Sequence, residues 1–175
     1  HSMLQVDPVM KTTPGIGMTS GSLGNGLSIG LGMALAGRYQ KKAYNVFVIM
    51  GDGELQEGIV WEGVIAAAKC KADKLIVFVD ANGWQSGDSV EVVGGTSSIF
   101  DRFAAFGWHC QEIDGHDIGS ILGAIETAKM ETGRPSMILA NTVKGKGVSY
   151  MEDNNAWHKG VPTKEQYDEA MKALG

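Results

Sequence analysis

Two polar side chains, Asp52 and Asn82, stand where two apolar segments of the chain end. Asp52 lies in a Gly-Asp-Gly triplet after the apolar run 45–50, and Asn82 follows the apolar run 75–80. Carboxylate and amide oxygens are hard ligands that suit Mg²⁺ or Ca²⁺, and Mg²⁺ with few protein ligands usually binds phosphate oxygens as well. The glycines beside Asp52 allow a phosphate group to approach the backbone closely. These residue types therefore predict a cation that holds a phosphorylated ligand.

The spacing of the two side chains strengthens this interpretation. A Gly-Asp-Gly triplet also occurs in ordinary turns, and an aspartate before a helix is often only an N-cap. Asn82, however, follows Asp52 by 30 residues, which is room for one helix and one strand. In open parallel sheets, ligands bind beyond the carboxyl ends of the strands. Two consecutive parallel strands would bring both side chains to that edge.

Alternating periodicity predicts the elements that position this edge. Helical spacing of apolar residues predicts helices over 27–39, 55–70, 99–106 and 117–132, and Thr163 N-caps a last helix. Short apolar runs predict strands over 45–50, 75–80, 108–113 and 136–142. We expect three of these strands to be fully buried and the strand 108–113 to be edge-like. Segments 83–95 and 143–162 are predicted to be irregular. The pattern predicts an α/β fold with a doubly wound, mainly parallel sheet.

The composition excludes several classes of function. The chain has 175 residues, 43% of them hydrophobic, and a formal net charge of −5, which is typical of one folded domain. An acidic balance argues against general nucleic-acid or anionic-membrane binding, which needs a basic face. The apolar stretches fall short of the roughly 20 residues of a membrane helix, and no secretion signal opens the chain. With only Cys70 and Cys110 as cysteines, we predict a cytoplasmic protein with reduced thiols.

Several motifs in a fixed order resemble one enzyme family, the transketolases. They are the Asp52-to-Asn82 spacing and the segments 19–26 (TSGSLGNG), 51–62 (GDGELQEGIVWE), 114–117 (DGHD) and 142–147 (TVKGKG). The resemblance runs from about Leu4 to the C-terminus. It implies a thiamine diphosphate-binding fold, specifically the diphosphate-binding domain, with thiamine diphosphate and Mg²⁺ (or Ca²⁺) as cofactors.

The resemblance implies a metal site and a diphosphate site. In the family, Asp and Asn side chains and a backbone carbonyl two residues after the Asn hold the cation. These positions are Asp52, Asn82 and the carbonyl of Trp84. Asn82 also counts as a cofactor-binding residue, and Gly53 would touch the diphosphate.

The glycine-rich segment before the first helix is implied to line the cofactor. The residues concerned are Gly21, Ser22 and Leu23, with Leu23 near the aminopyrimidine ring. Without the resemblance, the same residues would be interpreted as a glycine-rich start of a helix.

Three further side chains match functional positions of the family. Glu57 resembles a glutamate at the dimer interface that is linked to proton relay, although a glutamate in a first helical turn is also favoured by the helix dipole alone. Lys144 resembles a lysine near the phosphate end of the cofactor; its alternative is a solvated loop lysine. His158 resembles the histidine at the diphosphate and the substrate hydroxyls, and histidine is a common proton carrier. The family continues His-Gly-Lys there, whereas this chain has Lys159 and Gly160.

The resemblance also implies what the chain lacks. In the family, a glutamate on a separate pyrimidine-binding domain activates the cofactor. We therefore expect residues 1–175 to form a single diphosphate-binding domain, incomplete at its N-terminus, without the pyrimidine-binding and C-terminal domains. Residues 1–3 (HSM) have two interpretations: the family's cofactor-contacting histidine segment, or the remnant of an expression tag.

These inferences predict one component of a split transketolase. With a C-terminal subunit that carries the pyrimidine-binding domain, it would transfer a two-carbon ketol unit from a ketose, or ketose phosphate, to an aldose or aldose phosphate. A homodimer of this domain within a heterotetramer is implied. The alternatives are an enzyme similar to 1-deoxyxylulose-5-phosphate synthase, whose domain usually lacks the GELxEGxxWE wording, and a non-catalytic subunit. An unrelated nucleotide-binding module is disfavoured because the GxxxxGK[ST] and GxGxxG patterns are missing.

Overall fold

Four parallel strands form the centre of the computed structural model, which describes residues 7–95 and 97–175. The strands are β1 (Val46–Gly51), β2 (Leu75–Ala81), β3 (His109–Asp114) and β4 (Ser136–Asn141). Their order in the sheet is β1-β2-β4-β3, and every pairing is parallel. The predicted strands and the parallel sheet are confirmed, and β3 lies at an edge as expected. The segment 1–3 falls outside the described residues.

Helices cover both faces of this sheet. They are α1 (Asn25–Tyr39), α2 (Gly58–Lys69), α3 (Val90–Gly94), α4 (Ile99–Ala105), α5 (Ile118–Met130) and α6 (Lys164–Leu174), with 3₁₀ turns at Gly53–Gln56 and Asn155–His158. Side chains of α1, α2 and α4 share one buried cluster with β1, β2 and β4, whereas α5 packs on the opposite face through Ala124 and Ala128. The doubly wound α/β architecture is therefore confirmed.

Two predicted boundaries were wrong. The helix expected over 55–70 is a 3₁₀ turn followed by α2, which starts at Gly58. Glu57 interrupts the helix because its backbone is extended, with φ −72° and ψ 124°. The segment 83–95, expected to be irregular, contains the short helix α3. The hydroxyl of Ser89 starts α3 by accepting a hydrogen bond from the amide of Val92.

The expectation that β1 is fully buried was also wrong. Val48 and Met50 are buried under α1 and α2, but Phe47 and Ile49 on the other face are 46% and 78% exposed. The reason is lateral position: α5 packs on β2, β3 and β4, and β1 lies at the edge beyond it. A continuous apolar run shows that both faces of a strand are apolar, and only one is covered here.

A close crossing of two helices brings the glycine-rich segment 21–24 next to the segment 51–57 that contains Asp52. α1 and α2 contact each other where Gly63 faces Leu27, and a Cβ atom at Gly63 would overlap Leu27 Cδ2. Segment 21–24 precedes α1 and segment 51–57 precedes α2. The small residue at the crossing thus lets both helices start beside each other. Among the described residues, no helix combines the length and the apolar character that crossing a membrane requires.

Candidate functional site

The loops after β1 and β2 are joined through the carboxylate of Asp52. Gly51 lies opposite Asp80 in the sheet, and the amide of Asp52 donates to the carbonyl of Asp80 at 3.1 Å. The buried Asp52 side chain accepts hydrogen bonds from the amides of Gly53 at 2.8 Å and Gly83 at 2.6 Å. Since Gly83 follows Asn82 directly, the two predicted metal ligands come from adjacent loops, as the spacing indicated.

The amide group of Asn82 is held at both ends. Its Nδ2 donates to Oδ2 of Asp80 at 3.1 Å, and its Oδ1 accepts from the amide of Trp84 at 3.0 Å. The second carboxylate oxygen of Asp80 accepts a hydrogen bond from the hydroxyl of Thr142. Asp80 therefore connects the predicted metal loop to the loop after β4.

The electrostatic environment of Asp52 suits a cation. Burial raises the pKa of this carboxyl, the negative charge of Asp80 raises it further, and the amides of Gly83 and Gly53 act in the opposite direction. Within the described part of the chain, the four ion pairs all lie elsewhere and leave Asp52 without a cationic partner. A buried carboxylate is stabilised most by a charge of opposite sign.

The available donor set fits a hard cation that also binds a phosphorylated ligand. Residues 7–95 and 97–175 contain no cluster of three or more His, Cys, Asp or Glu that could hold a metal. One carboxylate and the amide oxygen of Asn82 are present, and the buried Oε1 of Gln85 accepts no hydrogen bond from the described residues. Gln85 packs against Gly53, where a Cβ would fall 2.6 Å from the Gln85 Cβ. Mg²⁺ commonly completes such a sparse set with phosphate oxygens and water.

Glu54 is a site residue to which the sequence assigned no role. Its Oε1 accepts from the amide of Gly24 at 2.7 Å and its Oε2 accepts from the amide of Gly51 at 3.3 Å. Gly24 has φ +81° and a Cβ there would lie 2.6 Å from Ile59 Cγ2, so glycine is required. Glu54 thereby fixes the glycine-rich segment to the loop of Asp52. The one signal in the sequence that could have identified Glu54 is its position directly after the Gly-Asp-Gly triplet.

The three residues of the glycine-rich segment line a cavity of about 790 Å³ along the open edge of β1. Gly21, Ser22 and Leu23 are exposed, and Leu23 is 60% exposed despite its apolar side chain. Ile49 and Glu54 line the same cavity. The segment is thus open to a ligand on the side where β1 is uncovered.

A second cavity of about 600 Å³ contains other predicted site residues. Asn82 and Lys144 line it together with Asp80 and Thr142, and Ile49 is shared with the first cavity. Five of the predicted residues therefore line two cavities that share Ile49 of β1, whereas Asp52, Gly53, Glu57, Trp84 and His158 line neither of the two.

Lys144 and His158 come together although 14 residues separate them. Lys144 Nζ lies 3.3 Å from His158 Nδ1, and His158 is at the end of a 3₁₀ turn with its side chain exposed. The pKa of His158 is lowered by burial first, and the positive charges of Lys144 and Lys159 lower it further. Both effects favour the neutral imidazole, which is the form able to accept a proton.

The loop that carries His158 is tied to the predicted metal loop. Trp84 Nε1 donates to Asp153 Oδ1 at 2.6 Å, and Asn155 Nδ2 donates to the carbonyl of Gln85 at 3.0 Å. These two bonds hold segment 153–158 against segment 84–85. Glu57 lies apart from both, exposed at the start of α2, where its Cβ is 3.0 Å from the position that a Cβ at Gly24 would take.

Comparison with known proteins supports one family. The sequence model described as transketolase, thiamine diphosphate binding domain, matches residues 1–175. The chain is 40% identical over 173 residues to an apulose-4-phosphate transketolase subunit of Phocaeicola vulgatus, covering 99% of this chain and 61% of that protein. It is 42% identical over 165 residues to a 6-deoxy-6-sulfo-D-fructose transketolase subunit of a Clostridium species, covering 94% of this chain and 60% of that protein. The chain thus spans about three fifths of the length of these relatives.

Solved structures give the same result. The transketolase of Campylobacter jejuni superposes with a TM-score of 0.87 at 30% identity, covering 99% of this chain and 28% of that one. A transketolase of Pichia stipitis in complex with sedoheptulose-7-phosphate superposes with a TM-score of 0.84 at 29% identity, covering 95% of this chain and 26% of that one.

Proposed function

The chain belongs to the transketolase family as a thiamine diphosphate-binding domain, and we propose that it is the diphosphate-binding subunit of a split transketolase. In this proposal residues 1–175 belong to the diphosphate-binding domain. The pyrimidine-binding and C-terminal domains belong to a separate partner subunit. The observation that carries the proposal is the buried carboxylate of Asp52 beside the Asn82 loop, which pairs with no cationic side chain of the described residues.

The cation is proposed to be Mg²⁺, held by Asp52, Asn82 and the carbonyl of Trp84. Held by these residues, the ion would anchor the diphosphate group of the cofactor. Thiamine diphosphate, when bound, supplies the carbon nucleophile that attacks the ketone of the donor sugar. In this proposal the segment 21–23 lines the cavity that the cofactor would enter, and Gly53 would touch the diphosphate.

Lys144 and His158 are proposed to act at the phosphate end and at the substrate. The Lys144 ammonium donates to phosphate oxygens. The neutral, exposed imidazole of His158 accepts or returns a proton at a substrate hydroxyl. The hydrogen bonds that join Trp84 to Asp153 and Asn155 to Gln85 support a place for His158 near the proposed cation site.

The proposed reaction is transfer of a two-carbon ketol unit from a ketose to an aldose. The names of two relatives contain a phosphate and a sulfo group, so a donor with a terminal anion is supported. We propose a homodimer of this domain within a heterotetramer, with Glu57 at the interface. A cytoplasmic location is part of the proposal and agrees with the two free thiols, Cys70 and Cys110.

Calorimetric titration tests the proposal. Thiamine diphosphate is added to the chain with and without Mg²⁺, and again after addition of a candidate pyrimidine-domain protein. We expect Mg²⁺-dependent binding that Asp52→Ala abolishes. Asp168→Ala, which removes a carboxylate of α6 that pairs with Lys164, is the matched control and leaves binding unchanged.

A substrate screen follows if binding is observed. Ketose phosphates and sulfoketoses are offered with an aldose to the chain plus partner, and ketol transfer is measured. Binding without transfer on any ketose would favour the non-catalytic alternative. Absence of Mg²⁺-dependent binding by the folded chain with its partner would refute the proposed cofactor site.

A further inference from the structure

Asp80 touches three parts of the candidate site without being a predicted ligand. Its Oδ2 accepts from Nδ2 of Asn82 at 3.1 Å, its Oδ1 accepts from the hydroxyl of Thr142, and its carbonyl accepts from the amide of Asp52 at 3.1 Å. We propose that Asp80 is a positioning residue that orients the oxygen of Asn82 toward the cation and fixes the loop of Lys144. The inference rests on the proposed function.

The first role follows from the chemistry of a side-chain amide. The oxygen and nitrogen of Asn82 are similar in size, so hydrogen bonds decide which way the group points. An ionised carboxylate only accepts hydrogen bonds, so the NH₂ group of Asn82 has to face Asp80. The oxygen is then kept on the side of Trp84, whose carbonyl is another predicted ligand. Without Asp80 only the bond from the amide of Trp84 holds the group, so turning its donors toward the cation, which repels them, costs one hydrogen bond fewer.

The second role follows from the position of Thr142. This residue comes directly after β4 and two residues before Lys144, and a second bond at Val143, whose amide donates to His116 Nε2 at 2.8 Å, holds the same loop. Thr142 is 62 residues from Asp80 in the chain. One carboxylate thereby relates the cation site to the side chain proposed to bind the phosphate end.

A simpler explanation is that the charge of Asp80 alone attracts the cation. Asp80→Asn separates the two explanations because asparagine has one accepting and one donating end. Its oxygen accepts from Asn82, and its NH₂ group donates to the hydroxyl of Thr142, which is able to accept. The variant removes the charge and retains both contacts, whereas Asp80→Ala removes the charge and both contacts.

The test measures the Mg²⁺ dependence of thiamine diphosphate binding by calorimetry, under the conditions in which the wild-type chain binds. Partners of metal ligands typically contribute tenfold to a hundredfold to metal affinity. We expect Asp80→Ala to raise the apparent Kd for Mg²⁺ by about tenfold to a hundredfold. Asp80→Asn is expected to stay within about threefold of wild type. Thr142→Val keeps the bond between Asp80 and Asn82, so it should weaken thiamine diphosphate binding by an amount that persists at saturating Mg²⁺.

The outcomes are distinguishable. Equal loss in Asp80→Asn and Asp80→Ala would show that charge, not orientation, is responsible, and wild-type affinity in Asp80→Ala would remove Asp80 from the site. Urea unfolding verifies that each variant folds; if Asp80→Ala does not, Asp80→Ser replaces it because serine is too short to reach Asn82. If the wild-type chain shows no Mg²⁺-dependent binding, the proposed function fails rather than this inference.

Discussion

Gly63 on α2 offers a quantitative test of how the crossing of α1 and α2 brings segments 21–24 and 51–57 together. A Cβ at this position would overlap Leu27 Cδ2 on α1 and lie 3.0 Å from Ser28 Oγ. Gly63→Ala gains about 1 kcal/mol from helix propensity. It also costs about 1–3 kcal/mol because an extra methyl enters a close-packed crossing. The net change in the free energy of unfolding is therefore between about zero and 2 kcal/mol of destabilisation.

Gly123 on α5 is the matched control. It also lies within a helix, and no heavy atom is within 4 Å of the position that a Cβ would take. Gly123→Ala should therefore stabilise the protein by about 1 kcal/mol. The difference between the two variants isolates the clash and is expected to be about 1–3 kcal/mol. At about 2–4 °C per kcal/mol for a chain of this size, Gly63→Ala should melt roughly 2–12 °C below Gly123→Ala.

Urea unfolding followed by circular dichroism measures both free energies. Leu27→Ala removes the atom that would be overlapped, so in that background Gly63→Ala should become neutral or stabilising. The coupling energy of the double-mutant cycle should be about 1–3 kcal/mol. Equal stabilities of Gly63→Ala and Gly123→Ala, or additive effects with Leu27→Ala, would refute the reasoning.

Three other predictions use single side chains. Because the pKa of His158 is lowered by burial and by the charge of Lys144, Lys144→Met should raise that pKa in an NMR titration of the imidazole; Lys146→Met, which removes a lysine that pairs with Glu152, should not. Burial raises the pKa of the Cys110 thiol to about 11, so about one thousandth of this thiol is thiolate at pH 8. Iodoacetamide should therefore label Cys110 only slowly in the folded chain and faster once urea unfolds it. Fast labelling of Cys110 in the folded chain would contradict this burial. Trp84→Phe removes the hydrogen bond to Asp153 but keeps the backbone carbonyl, so calorimetry should show Mg²⁺-dependent cofactor binding with at most about tenfold weaker affinity; complete loss would mean that the indole, not the carbonyl, matters.

The elements of the fold were largely predictable from local patterns. Apolar runs located all four strands, and helical spacing located the helices that cover them, because both signals are carried by neighbouring residues. The exposure of Phe47 and Ile49 was not predictable in this way, since it depends on how far α5 extends across the sheet. Helix α3 was missed because five residues are too few to establish a periodicity.

The candidate site was predictable only where its residues belong to a recognisable motif, such as the spacing from Asp52 to Asn82. The Asp52 and Asn82 loops were expected to be adjacent because consecutive parallel strands share an edge, and the hydrogen bond from Gly83 bears out that adjacency. The bonds of Glu54 to Gly24 and of Asp80 to Thr142 join residues 30 and 62 positions apart. No sequence periodicity encodes such pairs, so these positions were unassigned until the fold was known.

The ligand set proposed for the cation contains a single carboxylate, Asp52, and this has a thermodynamic consequence. A divalent ion held as proposed would keep a net positive charge within this ligand set, since Asn82 and the carbonyl of Trp84 would offer neutral oxygens only. The ion and an anionic ligand then bind with positive heterotropic cooperativity, and each strengthens the other by the same factor. Neither species should occupy the protein appreciably at concentrations where the pair together saturates it. If the proposed function holds, the amount of cofactor bound would therefore depend on the free Mg²⁺ concentration as well as on the concentration of thiamine diphosphate.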